Sequence, residues 1–210
     1  MIVTETQLDK LRLLIKDVAS ARRYGHILGV ERMAARLASI YCPEKEGMLR
    51  AAALLHDVTK EKSFEEQLAI FEKYRVNATE EQLSVPPTIH AVTAPLIIPD
   101  EYPEYSDAEL LNAIRYHSTG RENMTLSEKI IFLSDYIEDT RTFEDCIALR
   151  EEFFSAFPEK MSEKERINHL NRVLLHSMEL TIEELRDSGK IIESATLHAR
   201  DSLRRELAED

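Results

Sequence analysis

The sequence predicts an all-α fold, and three features predict it. Glycine is scarce, 5 residues among 210. Apolar residues recur at three- and four-residue intervals nearly throughout, the period of helices buried along one face. Serine or threonine stands ahead of several of these runs, where a helix cap belongs. The elements follow in order. A first helix begins near Thr6, with Leu8, Leu11, Ile15 and Val18 on one stripe. A second covers residues 22–41, where Ile27, Val30, Ala34, Leu37 and Tyr41 share a broad face, and Pro43 ends it. A third runs through Ala51, Ala52, Ala53, Leu54 and Leu55 straight into His56 and Asp57. Ser63, with Glu66 at the third helical position, forms a capping box for a helix to about Tyr74. Thr79 caps a short helix that stops before Pro86.

Residues 88–98 read as a helix, with Pro95 as a kink or near its start. The segment PDEYPEYSD, residues 99–107, reads as a loop. Ser106 then caps a helix to about His117, and Gly120 closes that unit. Further helices run from Thr125 or Leu126 to about Asp139, and from Thr142 or Phe143 to about Ala156. A long one starts at Ser162 and ends at Gly189, and a last one covers residues 194–207. Nothing in the composition divides the chain. One domain over residues 1–210 is expected, with a core over about 20–141 and the helices of about 142–208 packed on it.

Composition narrows the function classes. Hydrophobic residues make up 43% and charged residues 31%, which suits a folded globular chain rather than disorder. Lys and Arg total 27 against 39 Asp and Glu, a net charge of −12 that argues against broad binding to nucleic acid or anionic membrane. A small anionic ligand held by local cations or a metal stays compatible. Cys42 and Cys146 are far apart and form no CxxC pair, so neither a disulfide framework nor a thiolate zinc site is expected. No apolar run approaches the ~20 residues of a membrane span, and the first residues lack a secretory pattern. A cytoplasmic protein with reduced thiols is the expectation.

The seven histidines sort by helical face. His26 shares its face with Val30 and Met33, His56 follows Ala52 and Ala53, His90 precedes Ala94 and Ile97, and His117 follows Leu110, Ala113 and Ile114. Asp135 likewise follows Ile131 and Phe132. These groups should point inward. His169, His176 and His198 have charged or polar face neighbours and read as surface or interface residues. A single inward histidine is usually satisfied by a backbone carbonyl. Five such positions plus Asp57 would cost a few kcal/mol each if left without strong partners. Convergence on a metal satisfies them together, and helix bundles build metal sites from facing helices. Imidazole and carboxylate ligands suit iron, zinc or manganese.

The order His26, His56–Asp57, Asp135 resembles the H…HD…D signature of the HD-domain phosphohydrolases. The segments RRYGHILGVERMAARLA, AALLHDVTK, AIRYHSTGRENMTLSEKIIFLSDYIEDTR and ATLHARDSL are similar to the YqeK branch, the symmetrical bis(5′-nucleosyl)-tetraphosphatase type. The likeness runs from about residue 20 to 205. It implies an all-α HD fold, iron binding, and hydrolysis of diadenosine tetraphosphate to two ADP by metal-activated water. It implies that His26, His56, Asp57 and Asp135 hold the principal metal. His90 and His117 would hold a second metal or contact phosphate. Asp57, Lys60, His90 and His117 would form the catalytic group. Arg23, Lys60, His90, His117, Asp135 and Arg141 would contact the substrate. Ser134, Asp139, Pro95 and Asp201 depart from the branch's usual residues. Two other readings stay open: an HD phosphohydrolase or phosphodiesterase acting on another nucleotide, and a non-catalytic, metal-stabilised regulatory module. The apolar positions of the C-terminal helices raise the expectation of a homodimer.

Overall fold

The computed structural model describes residues 1–209, which carry eleven α-helices and no β-strand. Helix α1 (Glu5–Val18) is opened by a capping box between Thr4 and Gln7 and buries Leu8, Leu11 and Ile15. Val18, predicted on that stripe, is 60% exposed because the helix ends there. Helix α2 (Ala21–Tyr41) and helix α3 (Glu46–Leu55) make the most extensive helix pair. Helix α3 also touches α1, α7 (Ala108–Arg115) and α8 (Leu126–Ile137). Neighbours on every side explain why Ala51 to Leu55 are an unbroken apolar run, all fully buried.

Around this core lie α4 (Phe64–Lys73), capped by the Ser63–Glu66 box, and α5 (Glu80–Ser84), capped by Thr79. Helix α6 (His90–Glu101) departs from the sequence reading at both ends. It starts at His90, after a short 3₁₀ turn at Pro86–Thr88. It continues through Pro99, Asp100 and Glu101, which the sequence assigned to a loop. A proline costs a helix one amide donor and some straightness, and the buried face of Ala91, Ala94, Ile97 and Ile98 holds α6 together across both prolines. Helix α7 is capped by Asp107 rather than Ser106. The Asp107 carboxylate accepts from Glu109 and Leu110 amides at 3.0 and 3.3 Å, while Ser106 donates to the Pro103 carbonyl.

Helices α9 (Glu144–Ser155), α10 (Glu163–Asp187) and α11 (Ser194–Ala208) complete the chain; α9 and α10 lie against α8, and α11 lies against α10. The buried Lys129 of α8 ties them down, donating to Asn171 Oδ1 at 2.9 Å and Glu206 Oε2 at 2.6 Å. Their apolar positions, among them Leu170, Val173, Leu174, Met178, Ala199 and Leu203, are consumed in the chain's own core. His169 is not a surface residue. It is 7% exposed, its ring lies 5.1 Å from that of Phe153, and its Nε2 donates to the Phe153 carbonyl at 2.9 Å. His176 and His198 are exposed, as expected. No helix among the described residues is long and apolar enough to cross a membrane.

Candidate metal centre

Five elements deliver six ligand-type side chains to one place. His26 comes from the first turns of α2, His56 and Asp57 from the end of α3, His90 from the first turn of α6, and His117 from the turn after α7. Asp135 comes from the last turns of α8. Beyond Leu55, amide-to-carbonyl turns at Val58, Lys60 and Lys62 replace the helix and bend the chain away. The HD pair therefore sits at the buried end of a helix rather than along it.

Asp57, 5% exposed, is the hub. Its Oδ2 lies 3.4 Å from His56 Nε2 and 3.8 Å from His26 Nε2. Its Oδ1 lies 3.2 Å from His90 Nε2 and 4.0 Å from His117 Nε2. Asp135 Oδ1 lies 3.0 Å from His26 Nε2 and 3.9 Å from His56 Nε2. Three overlapping trios have their ligand atoms within 4.8 Å of one another: His26–His56–Asp57, His56–His117–Asp135 and Asp57–His90–His117.

Hydrogen bonding fixes which ring nitrogens face the centre as lone pairs. His56 Nδ1 donates to the Ala53 carbonyl at 2.6 Å, and His117 Nδ1 donates to the Ile114 carbonyl at 2.6 Å. Both rings are thereby left with a bare Nε2 turned inward. His56 Nε2 is fully buried and has no hydrogen-bond partner. An orphaned acceptor at that depth is costly in a folded protein, and a metal ion would satisfy it. The set of imidazole nitrogens and carboxylate oxygens fits a divalent transition metal. His90 differs. Its Nδ1 accepts from Lys60 Nζ at 3.2 Å, so its neutral ring carries the proton on Nε2 and donates toward His117 Nε2, 3.1 Å away, or Asp57.

The charges agree with this arrangement. Burial opposes ionisation of Asp57, yet the polar groups around it, His90 among them, hold it well below the usual carboxylate range. Burial likewise opposes ionisation of Asp135, and His26 and Arg141 outweigh it. Burial works against protonated His26 too, but Asp135 and Glu138 raise it to about 9. Burial drives His117 down to about 3 and lowers His90 and Lys60. Without a metal, the carboxylates are therefore held by protonated His26, by Arg23 Nη1 at 2.6 Å from Asp57, and by Arg141 Nη2 at 2.7 Å from Asp135.

Each residue that the sequence assigned to the site lies at or beside the cage. Lys60 also donates to the Pro87 carbonyl at 2.9 Å. Arg115 and Arg121 have partners outside the cage. Arg121 pairs with the fully buried Glu128 at 3.0 Å, and Arg115 sits over the Tyr116 ring. Sequence reasoning missed Glu138, 1% exposed, which accepts from His26 Nδ1 at 3.1 Å and from the amide and hydroxyl of Thr140, each at 2.6 Å. It orients the ligand from behind. Gly29 makes room for it, because a β-carbon there would overlap Glu138 Oε2. Glu138 had no helical signal, because it follows the last turn of α8 in extended backbone. Gly29, three residues after His26 on the same face of α2, was readable.

An all-α bundle with a buried histidine–carboxylate cage defines a class of helical metal-site proteins. The particular family follows from sequence likeness: a model of the HD domain matches residues 23–140, and the chain belongs to the HD-domain family. The chain is 36% identical over 136 residues to the Staphylococcus aureus symmetrical bis(5′-nucleosyl)-tetraphosphatase, covering 64% of this chain and 68% of that one. It is 31% identical over 169 residues to the Bacillus subtilis protein of the same name, covering 80% and 82%. A crystal structure of a Clostridium acetobutylicum HD superfamily hydrolase, described as involved in NAD metabolism, superposes with a TM-score of 0.79 at 32% identity. That match covers 94% of this chain and 97% of the other.

Proposed function

We propose that this chain is a metal-dependent hydrolase that cleaves diadenosine tetraphosphate at its central bridge to give two ADP. The observation that carries the reading is the cage itself, with the buried, partnerless Nε2 of His56 beside Asp57 and three cations, Arg23, Lys60 and Arg141, around it. Two similar proteins bear the name of that activity. His26, His56, Asp57 and Asp135 would hold the principal metal, with iron the proposed ion. His117 completes a second trio with Asp57 and His90.

A divalent ion bound there offsets phosphate charge and lowers the pKa of water toward roughly 7. The chain's own residues do the rest. Lys60, Arg23 and Arg141 bind phosphate oxygens and hold the chain so that the central bridge lies at the cage. His117 stays neutral through burial and would meet an ion by its bare Nε2. His90 donates its Nε2 proton toward Asp57 or a phosphate oxygen. The oxygen of water joins one inner phosphorus, and the bridging oxygen leaves with the other ADP. That leaving oxygen is weakly basic, so neighbouring cations suffice to stabilise it. The proposed location is the cytoplasm, where the buried free thiols of Cys42 and Cys146 persist reduced.

Chromatography of products formed by iron-loaded protein tests this. ADP as the sole nucleotide product is expected. AMP with ATP contradicts symmetrical cleavage. NAD, whose bridge holds two phosphates, belongs in the same panel, and turnover of NAD in place of the tetraphosphate overturns the substrate assignment.

A further inference from the structure

The cage is buried, so a substrate with a nucleoside at each end must leave it by two routes. We propose that two clefts meeting at Arg141 and Phe143 are the two arms of the substrate site. Each would take one nucleoside diphosphate half, and Phe143 is the aromatic wall that both share. This rests on the symmetrical hydrolysis proposed above.

One cleft, of about 710 Å³, reaches the cage at His117 and Asp135. The other, of about 580 Å³, reaches it at His26 and Arg23. Both lie in the range of roughly 300–1,000 Å³ typical of small-molecule sites. Two smaller recesses also touch the cage residues, one of about 260 Å³ at His90 and one of about 140 Å³ at Asp57, and both fall below that range. Arg141 and Phe143 line both large clefts. Arg141 is anchored to Asp135, so it stands where the central phosphates would divide. Phe143 is 65% exposed at the N-cap of α9 and makes no side-chain cap there. An aromatic ring left in water beside a phosphate site has the chemistry of a base-stacking wall.

The two arms are unlike. The larger has Phe132, Tyr136 and Met178 in its wall, with the exposed Glu144, Asp145 and Glu184 at its mouth. Apolar and aromatic surface suits a purine face, and the carboxylates accept from amino or ribose hydroxyl groups. They also repel phosphate, which directs the chain inward to Lys60 and Arg141. The smaller is lined by Arg22, Arg23 and Arg141 and by the small residues Ala21 and Gly25, while its carboxylates are already engaged, Glu61 by Ser20 and Glu138 by His26 and Thr140, which leaves a surface for phosphate and ribose.

Calorimetric titration of the full-length, metal-loaded protein with ADP should give two ADP per chain with unequal affinities. Stacking is worth ~1–3 kcal/mol per base, so Phe143→Ala should raise KM for diadenosine tetraphosphate about tenfold or more, most of the loss in kcat/KM residing in KM. Phe143→Tyr should restore it. A protein that forms ADP from the tetraphosphate but binds a single ADP overturns the two-arm assignment and leaves the proposed activity standing. An unchanged KM in Phe143→Ala overturns the shared wall. Failure of the parent protein to form ADP removes the activity, and the two arms with it.

Discussion

Glu31 and Asp57 are both buried carboxylates, 4% and 5% exposed, yet their surroundings differ in kind. Glu31 is gripped by Arg12 and Arg50, both of which also reach Glu5. Its charge is met within the chain, and none of its side-chain polar atoms is left orphaned. Around Asp57, four imidazoles crowd one carboxylate, and the nitrogen of His56 that faces it lacks a hydrogen-bond partner. The first is a finished ion network that fastens α1, α2 and α3. The second is complete only when something else is added. Unsatisfied polar atoms, rather than burial or charge density, separate a site from a brace.

Variants in the two regions should therefore fail in opposite ways. The largest effect is expected from Asp57→Ala, which should abolish turnover while circular dichroism shows an intact helical fold. A variant that loses its fold instead would make the HD pair a structural element. Glu31→Ala should leave turnover in place but cost about 3 kcal/mol, the penalty for unpairing buried charge. That corresponds to a melting point lower by on the order of 10 °C, measured by calorimetry. Glu138→Gln removes the carboxylate behind His26, and competition with a chelator should show metal affinity weaker by ~10–100-fold. The smallest effect is one of pH. His26 is raised to about 9 from 6.5, so its contribution to the metal-free fold is complete below pH 6.5 and lost as pH rises through about 9. Thermal melts of metal-free protein should fall by a few degrees across that window, whereas metal affinity should rise across it because binding releases the His26 proton.

Much of this was legible from residue order. His26, His56, His90, His117 and Asp135 each extend an apolar helical stripe, and a polar group in that position has to point inward. The caps at Ser63 and Thr79 lie where they were read, and Thr125 and Ser162, read as helix starts, are N-caps. The misreadings have physical causes. Pro99, Asp100 and Glu101 look like loop because prolines and acids usually are, yet the apolar face before them carries α6 through. His169 has charged neighbours at Glu165, Arg166 and Arg172, but Val173, four residues on, and Leu170 beside it turn that edge inward, and a carbonyl from α9 receives its proton. Glu138 sits past the last turn of α8, where a carboxylate reads as solvated, and only the packing of α2 on α8 brings it to His26. The two clefts combine residues from distant parts of the chain and have no local signature.

Elemental analysis of protein purified without added metal tests the central claim most directly, applied to three samples: the parent, Glu31→Ala and Asp57→Ala. Bound transition metal in the first two and none in the third is the predicted result. Metal retained in Asp57→Ala at the parent's stoichiometry would contradict the assignment of the cage as the metal centre.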